Sequence, residues 1–307
     1  MTEAAQLLPA GIQVFERGWL SANNIVFTTG VRAVVDTGYW THQAQTLALV
    51  EAALGGQALE VIVNTHLHSD HCGGNAALKG QYVDAKLIIP PGLSQYVQTW
   101  DNDALTYGPT GQHCPPFKFD ALLRPGSELQ LGELAWEVHA APGHDTHSVI
   151  LFEREQGVLI SADALWENGF GVVFPELEGE NAFKDVGQTL DLIESLRPNM
   201  VIPGHGSAFT DTFSALARAR RRLQSFVEDP RKHATHAAKV LVKFKLLEWQ
   251  QVSMPVLQQW IDATRYFQVV HSRHFSGESM ATWIGRLIDD LVRGGAAARH
   301  GDLVLNQ

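Results

Sequence analysis

The stretch VIVNTHLHSDHCGG, residues 61–74, joins an apolar run to four side chains that can bind a metal ion. The apolar run at its start predicts a buried strand. His66 and His68 are two residues apart, so both rings leave the strand end on one side, and a turn can bring Asp70 and His71 beside them. A packed core excludes such side chains unless they are paired or coordinate a metal, since an uncompensated polar group costs about 1 to 3 kcal/mol. The pattern therefore indicates a metal site and not a loop that is rich in histidine by chance.

Three further candidate ligands each stand just beyond an apolar, strand-like run: His144, Asp163 and His205. Ligands at strand ends converge on one rim of a sheet. Imidazoles and carboxylates together suit zinc, manganese or iron better than calcium or magnesium, which prefer oxygen ligands throughout. The sequence therefore predicts that these residues complete the site that begins at residue 66.

The chain resembles the metallo-β-lactamase fold superfamily at five motifs, which occur in the expected order over roughly residues 10–210. The signature His-x-His-x-Asp-His matches residues 66–71. The other four motifs are Val34-Val35-Asp36-Thr37-Gly38, Pro142-Gly143-His144, Ala162-Asp163-Ala164 and Pro203-Gly204-His205-Gly206. The resemblance implies an α/β fold, a four-layered αββα sandwich with the metal site at one edge between the sheets.

The resemblance also implies two divalent metal ions, which we expect to be Zn²⁺, with Mn²⁺ or Fe²⁺ as alternatives. The first ion would be held by His66, His68 and His144, the second by Asp70, His71 and His205, and Asp163 would bridge the two. Asp36 would support the site without binding metal. A water between two metals about 3.5 to 4 Å apart becomes hydroxide near neutral pH. Asp70 would also be catalytic, because its carboxylate can orient that hydroxide or pass a proton to the leaving group.

Two stretches lack regular patterning and are candidates for the substrate pocket, residues 94–120 and 166–180. Both contain aromatic residues, and long irregular loops beside a metal site often bind substrate. We expect Trp166, Phe170 and His147 to contact a small-molecule substrate. The alternatives are that the aromatic residues cover the edge of the sandwich and that His147 supports the site or lies on the surface.

The chain divides near residue 210. Residues 1–210 are predicted to form the catalytic domain, with a hairpin at 25–35 and helices at 43–54 and 182–196. Residues 211–307 are predicted to form a mainly helical module, with helices at 211–227, 237–249, 256–267 and around 283–291, followed by a hairpin at 296–305. Helices followed by a terminal hairpin resemble a winged-helix module.

Charge divides at the same boundary. Residues 1–210 carry 9 Lys and Arg against 24 Asp and Glu, whereas residues 211–307 carry 14 against 9. A basic module can bind nucleic acid, and the cluster Arg218, Arg220, Arg221 and Arg222 is the strongest support for that function. A solvated helix face paired with the acidic domain explains the same arginines, and we favour this second interpretation because the acidic domain would repel a phosphate backbone.

Composition is typical of a cytoplasmic enzyme, which is the location we expect. The chain has no apolar segment that predicts a signal peptide or a membrane span, and Cys72 and Cys114 alone make no disulfide framework. The favoured function is hydrolysis of an ester, thioester or lactone by a metal-bridging hydroxide. The alternative is a phosphodiesterase or endoribonuclease that uses the same site. Redox chemistry is less favoured, since the flavin-linked di-iron branch of the superfamily has a Glu at the position of His68.

Overall fold

Two β-sheets form the centre of the N-terminal two thirds of the chain. The fold comes from a computed structural model, which describes residues 8–307. The first sheet contains, in spatial order, β1 (Ile12–Phe15), β2 (Asn24–Phe27), β3 (Ala33–Val35), β4 (Val61–Val63), β5 (Lys86–Ile89) and β6 (Ala121–Leu122). The second contains β11 (Met200–Pro203), β10 (Val158–Ala162), β9 (Val149–Glu153), β8 (Leu134–Ala140) and β7 (Glu128–Leu131). Strands β3 to β6 are parallel, and so is the pair β10 and β11.

Helices cover the outer face of each sheet. Those of the first half are α1 (Gln43–Leu54), α2 (Ser69–Cys72), α3 (Asn75–Gln81), α4 (Ser94–Thr99) and α5 (Tyr107–Thr110). Those of the second half are α6 (Phe174–Glu178) and α7 (Ala182–Leu196). One apolar cluster lies between the sheets, and two others lie between each sheet and its own helices. The predicted four-layered αββα sandwich is therefore confirmed.

The C-terminal part of the chain is mainly helical, as expected. Its elements are α8 (Thr212–Glu228), α9 (Pro230–Trp249), β12 (Gln251–Ser253), α10 (Met254–Ala263), α11 (Arg265–His274), α12 (Met280–Arg293), β13 (Ala297–His300) and β14 (Leu303–Asn306). The last three strands form an antiparallel sheet in the order β12-β14-β13. The identification of this C-terminal part as a winged helix stays a prediction, and so does the domain boundary at residue 210.

The predicted helix at 256–267 is wrong, because the structure divides it into α10 and α11. Thr264 lies between them with an extended backbone, φ −94° and ψ 113°, and its hydroxyl donates to the carbonyl of Trp260 at 2.7 Å. This local hydrogen bond competes with the helical pattern. The start of α9 was also predicted seven residues too late, since Pro230 stands at its first turn and Asp229 accepts from the Arg231 amide.

The C-terminal elements pack against the sandwich and not only on each other. Leu216 and Phe226 of α8 belong to the cluster on the outer face of the second sheet. Val172, just before α6, and Leu177, within α6, belong to the cluster of the C-terminal helices. Among the described residues, no helix is both long and apolar enough to cross a membrane.

Candidate metal centre

The predicted ligands all come from chain segments that follow strands. Strand β4 leads into His66 and His68, and α2 carries Asp70 and His71. The register of β10 against β11 shifts between Ile160 and Ala162, as in a β-bulge, and Ala162 takes a left-handed φ of 46°. A bulge changes the direction of the side chain that follows it, and here that side chain is Asp163.

One set of ligands is formed by three histidines. His68 Nδ1 lies 3.1 Å from His66 Nε2 and 2.7 Å from His144 Nε2. The three ring nitrogens thus face a common point, where all can bind one metal ion. Three imidazoles are a ligand set that suits zinc.

A second set adjoins the first, with Asp163 between them. His205 Nε2 is 3.2 Å from Asp70 Oδ2, and Asp70, His71 and His205 can together hold an ion. Asp163 Oδ1 lies 3.4 Å from His71 Nε2, and its Oδ2 lies 3.4 Å from His144 Nε2. One carboxylate therefore faces a member of each set.

Two observations test whether these residues fit a metal. His71 Nε2 is buried and has no hydrogen-bond partner among residues 8–307, so it is free to coordinate. A buried polar atom without a partner is otherwise costly. The second observation is the close contact between Gly204 and Asp163. A Cβ at residue 204 would lie 2.3 Å from Asp163 Oδ1, so only glycine leaves room for the carboxylate. The site thus restricts Asp163 and leaves His71 Nε2 unpaired, and the donor set fits divalent metal ions.

Hydrogen bonds fix the ring nitrogens that face away from the centre. His71 Nδ1 pairs with Asp36 Oδ2 at 2.8 Å, His144 Nδ1 with the Val172 carbonyl at 2.6 Å, and His205 Nδ1 with the Gly18 carbonyl at 3.1 Å. A ring that donates from one nitrogen presents the other as a lone pair, which sets the tautomer needed for metal binding.

Asp36 connects to both ligand sets. Its Oδ1 accepts from the Thr65 amide at 2.9 Å, and its Oδ2 accepts from the Thr65 hydroxyl at 2.8 Å and from His71. The same hydroxyl lies 3.1 Å from His66 Nδ1. Asp36 also has a left-handed backbone, φ 57°, which non-glycine residues rarely adopt. These contacts place Asp36 behind the candidate ligands, and its supporting role without metal binding stays a prediction.

Replacing Asp36 with asparagine is expected to lower metal affinity about 10- to 100-fold, the usual loss when such a supporting partner is removed. The amide nitrogen that the substitution introduces accepts no hydrogen bond, so it cannot replace the oxygen that accepts from His71 and from the Thr65 hydroxyl. Competition with a metal-binding dye measures the affinity. Asp120→Asn is the control, because it removes a surface carboxylate that pairs with Lys79 at 3.0 Å. Equal affinity of the Asp36 and Asp120 variants would contradict the role of Asp36.

The environment sets different protonation states in the two ligand sets. Burial lowers the pKa of His68 and His144 to about 4, so both rings are neutral at pH 7. Burial alone would raise the pKa of Asp163, but the charges of His71 and His205 hold it well below its usual range. Burial alone would lower the pKa of His71 and of His205, but the carboxylates beside them raise both, so a metal ion that binds these two rings must displace their protons.

A cavity of about 310 Å³ opens over the two ligand sets. Its size is within the range of small-molecule sites. Its walls include Trp166 from the loop after β10, Phe174 at the start of α6, and Val240, Leu241 and Phe244 from α9. Trp166 also donates from Nε1 to Asp163 Oδ1 at 3.2 Å. Trp166 thus lines the cavity, and its contact with substrate stays a prediction.

Phe170 and His147, which were predicted to contact substrate, do not line this cavity. Phe170 is 1% exposed, packs in the core behind the cavity, and does not line it, because the loop turns its ring toward Phe226 of α8. His147 is exposed and lies against Gly92, away from the cavity lining. The alternative interpretation, in which Phe170 covers the sandwich and His147 is a surface residue, agrees better with these positions.

Several cavity residues were not predicted. Trp19 stacks on His205, with ring centroids 5.4 Å apart and planes at 11°. The apolar wall from α9 and the Arg222 side chain of α8 also line the cavity. These residues carry no motif, and only the packing of distant segments brings them to the site.

Known proteins resemble this chain chiefly over the part that carries the ligands. A sequence profile described as the metallo-beta-lactamase superfamily matches residues 17–205. The acyl-coenzyme A thioesterase MBLAC2 of Gallus gallus is 26% identical over 156 residues, covering 48% of this chain and 56% of that protein. A hydroxyacylglutathione hydrolase of Anaeromyxobacter dehalogenans is 31% identical over 161 residues, covering 52% of each. The chain thus spans about half the length of these two curated relatives.

Solved structures share the fold over nearly the whole chain. A metallo-beta-lactamase family protein from Thermus thermophilus has a TM-score of 0.56 at 22% identity, covering 98% of this chain and all of that one. A beta-lactamase domain protein from Burkholderia ambifaria has a TM-score of 0.59 at 18% identity, covering 98% and 94%. At these identities the likeness concerns the fold alone.

Proposed function

Because the chain belongs to the metallo-beta-lactamase superfamily, whose members named among its relatives include hydrolases, we propose that it is a binuclear metal-dependent hydrolase. Its substrate would be an ester, thioester or lactone of a small molecule. His66, His68 and His144 would hold one ion, Asp70, His71 and His205 the other, and Asp163 would bridge them. Zn²⁺ suits this donor set, with Mn²⁺ or Fe²⁺ as alternatives.

The position of the Asp163 carboxylate carries this proposal. Its Oδ1 lies 3.4 Å from His71 of the second set, and its Oδ2 lies 3.4 Å from His144 of the first set and 3.9 Å from His205 of the second. The carboxylate thus adjoins members of both sets, as a bridging ligand would. The bound metal ions would supply an activated water and polarise the bond under attack.

The protein's own groups would then orient and protect the reaction. The Asp70 carboxylate lines the cavity and is held by His205, so it can orient the attacking water and move a proton toward the leaving group. The aromatic rings of Trp19, Trp166 and Phe174 would limit the access of bulk water. Asp163 is itself oriented by the Trp166 indole.

A thioester is the substrate class that we favour within this proposal. Two relatives are named as an acyl-coenzyme A thioesterase and a hydroxyacylglutathione hydrolase. The largely apolar cavity would accept an acyl group, and polar side chains such as Gln112 and Arg222 line it besides the candidate metal ligands.

The arginine contacts favour this proposal over the nuclease alternative. Arg220 pairs with Asp191 and Glu194 of α7, each at 2.7 Å, as expected for a helix face paired with the acidic domain. Arg218 donates to the Glu167 carbonyl at 2.7 Å. Groups engaged in this way are less available to a phosphate backbone.

Turnover of a substrate panel by metal-quantified protein tests the proposal. The panel contains an acyl-coenzyme A, S-lactoylglutathione, an aryl ester, a lactone, bis(p-nitrophenyl) phosphate and a short RNA. We expect cleavage of carbonyl substrates and none of the phosphodiesters. Cleavage of the phosphodiesters alone would overturn the proposal in favour of the nuclease function.

A further inference from the structure

One cationic side chain lines the cavity of the metal centre, that of Arg222. Helix α8 delivers it, and its guanidinium carbon lies 5.7 Å from the Phe170 ring centroid and 5.5 Å from that of Phe226. Its amino groups donate to His236 Nε2 at 2.6 Å and to the Asn168 carbonyl at 3.4 Å. Arginine carries five N–H donors, so most of this fork remains available toward the cavity.

Arg222 has no acidic counter-ion within residues 8–307. Its polar partners are a histidine ring and a carbonyl, both neutral acceptors. Burial, followed by the charge of Arg222, lowers the pKa of His236 to about 3, so that ring is uncharged at pH 7. The guanidinium keeps its proton in proteins, and no carboxylate of the described residues forms an ion pair with it, although Glu167 lines the same cavity.

Neighbouring arginines on the same helix behave differently. Arg220 is neutralised by two carboxylates, and Arg221 is exposed to solvent. The chain as a whole is acidic, with a formal net charge of −10. Arg222 is thus a partly buried cation without an ion pair in the cavity that the candidate metal ligands line, and it can attract an anion there.

We propose that Arg222 forms a carboxylate-binding subsite of the substrate cavity, so that the preferred substrate is an acyl ester or thioester that carries a carboxylate. This inference rests on the proposed hydrolase function. The planar fork matches the two oxygens of a carboxylate. A phosphate dianion would need further cations, whereas one guanidinium balances one carboxylate.

A purely structural role for Arg222 makes a different prediction. Its stacking on Phe170 and Phe226 fastens α8 to the loop after β10, and losing that contact would affect all substrates alike. A binding role instead changes the ratio of kcat/KM between a charged substrate and a neutral substrate of the same shape. That ratio distinguishes the two roles.

The experiment uses two matched substrate pairs and the metal-loaded full chain. The first pair, 4-nitrophenyl adipate monoester and 4-nitrophenyl hexanoate, places the carboxylate on the acyl group. The second, S-butanoyl-3-mercaptopropionate and S-propyl thiobutanoate, places it on the leaving group. Wild-type protein is expected to prefer the charged member of at least one pair. Arg222→Met should reduce that preference about 10- to 100-fold, as for loss of a charged hydrogen bond.

Arg221→Met is the matched control, because it removes an exposed arginine next in sequence, and it should keep the wild-type preference. Arg222→Lys retains the charge and should keep part of the preference, which gives a second test if Arg222→Met does not fold. Equal kcat/KM for both members of both pairs in wild-type protein would overturn the subsite. So would an unchanged preference in a folded Arg222 variant. Failure of the proposed function is distinguishable, since no member of either pair would then be cleaved.

Discussion

Replacing Asp163 with asparagine is expected to remove bound metal and activity together. The carboxylate contacts both ligand sets, and an amide supplies only one oxygen to share between them. Metal ions contribute several kcal/mol of charge stabilisation to such reactions, and each 1.4 kcal/mol corresponds to about tenfold in rate. We therefore expect kcat to fall about 10³-fold or more, with metal content below one ion per chain.

Elemental analysis of the dialysed protein and turnover of one acyl thioester measure the two effects. Glu153→Gln is the control, since it changes a carboxylate that is also buried but accepts only from the amides of a turn, Glu155 and Gln156. This control should keep its metal. An Asp163→Asn protein with full metal content and full turnover would contradict the bridging role.

Replacing Asp70 with asparagine is expected to reduce turnover more than it reduces metal content. Asp70 pairs with His205 in the second ligand set only, so the three histidines of the first set should keep their ion. Loss of the group that orients water and moves a proton costs about 10²- to 10⁴-fold in rate. We expect a protein with about one ion per chain and kcat lowered within that range.

Comparing Asp163→Asn with Asp70→Asn distinguishes a ligand shared by both metal sites from a ligand of one site. Metal content separates them, because Asp163→Asn should affect both sites and Asp70→Asn one. If Asp70→Asn lost all bound metal, Asp70 would not belong to the second set alone. If it kept both ions and full turnover, it would be neither a ligand nor a catalytic group.

The sequence could place the candidate ligands at one edge of the sheets because local rules set that position; which of them bind metal stays a prediction. Side chains that follow a buried strand must lie at a sheet edge, and His66, Asp163 and His205 each do. The hairpin at 25–35 and α1 at 43–54 were likewise confirmed at or near their predicted bounds. In these cases the pattern of apolar residues and the neighbouring turn residues contain the needed information.

The cavity walls could not be predicted in the same way. Trp19 reaches His205, which lies far later in the chain, only because the segment between β1 and β2 lies beside the end of β11. Arg222 belongs to a cluster of four arginines in which the sequence does not distinguish the member that faces the cavity from those that face solvent. Phe170 was assigned to the substrate pocket because it follows Asp163 closely, yet the turn at Trp166 and Gly169 directs it into the core. Contacts between distant segments decided all three positions.

Titration of activity against bound zinc tests the central claim most directly. Chelated protein receives known equivalents of Zn²⁺, and hydrolysis of an acyl thioester is followed at each point. A binuclear hydrolase predicts no turnover without metal and a maximum at two equivalents per chain. Full activity at one equivalent would contradict the binuclear site, and turnover that survives chelation would contradict metal-dependent hydrolysis itself.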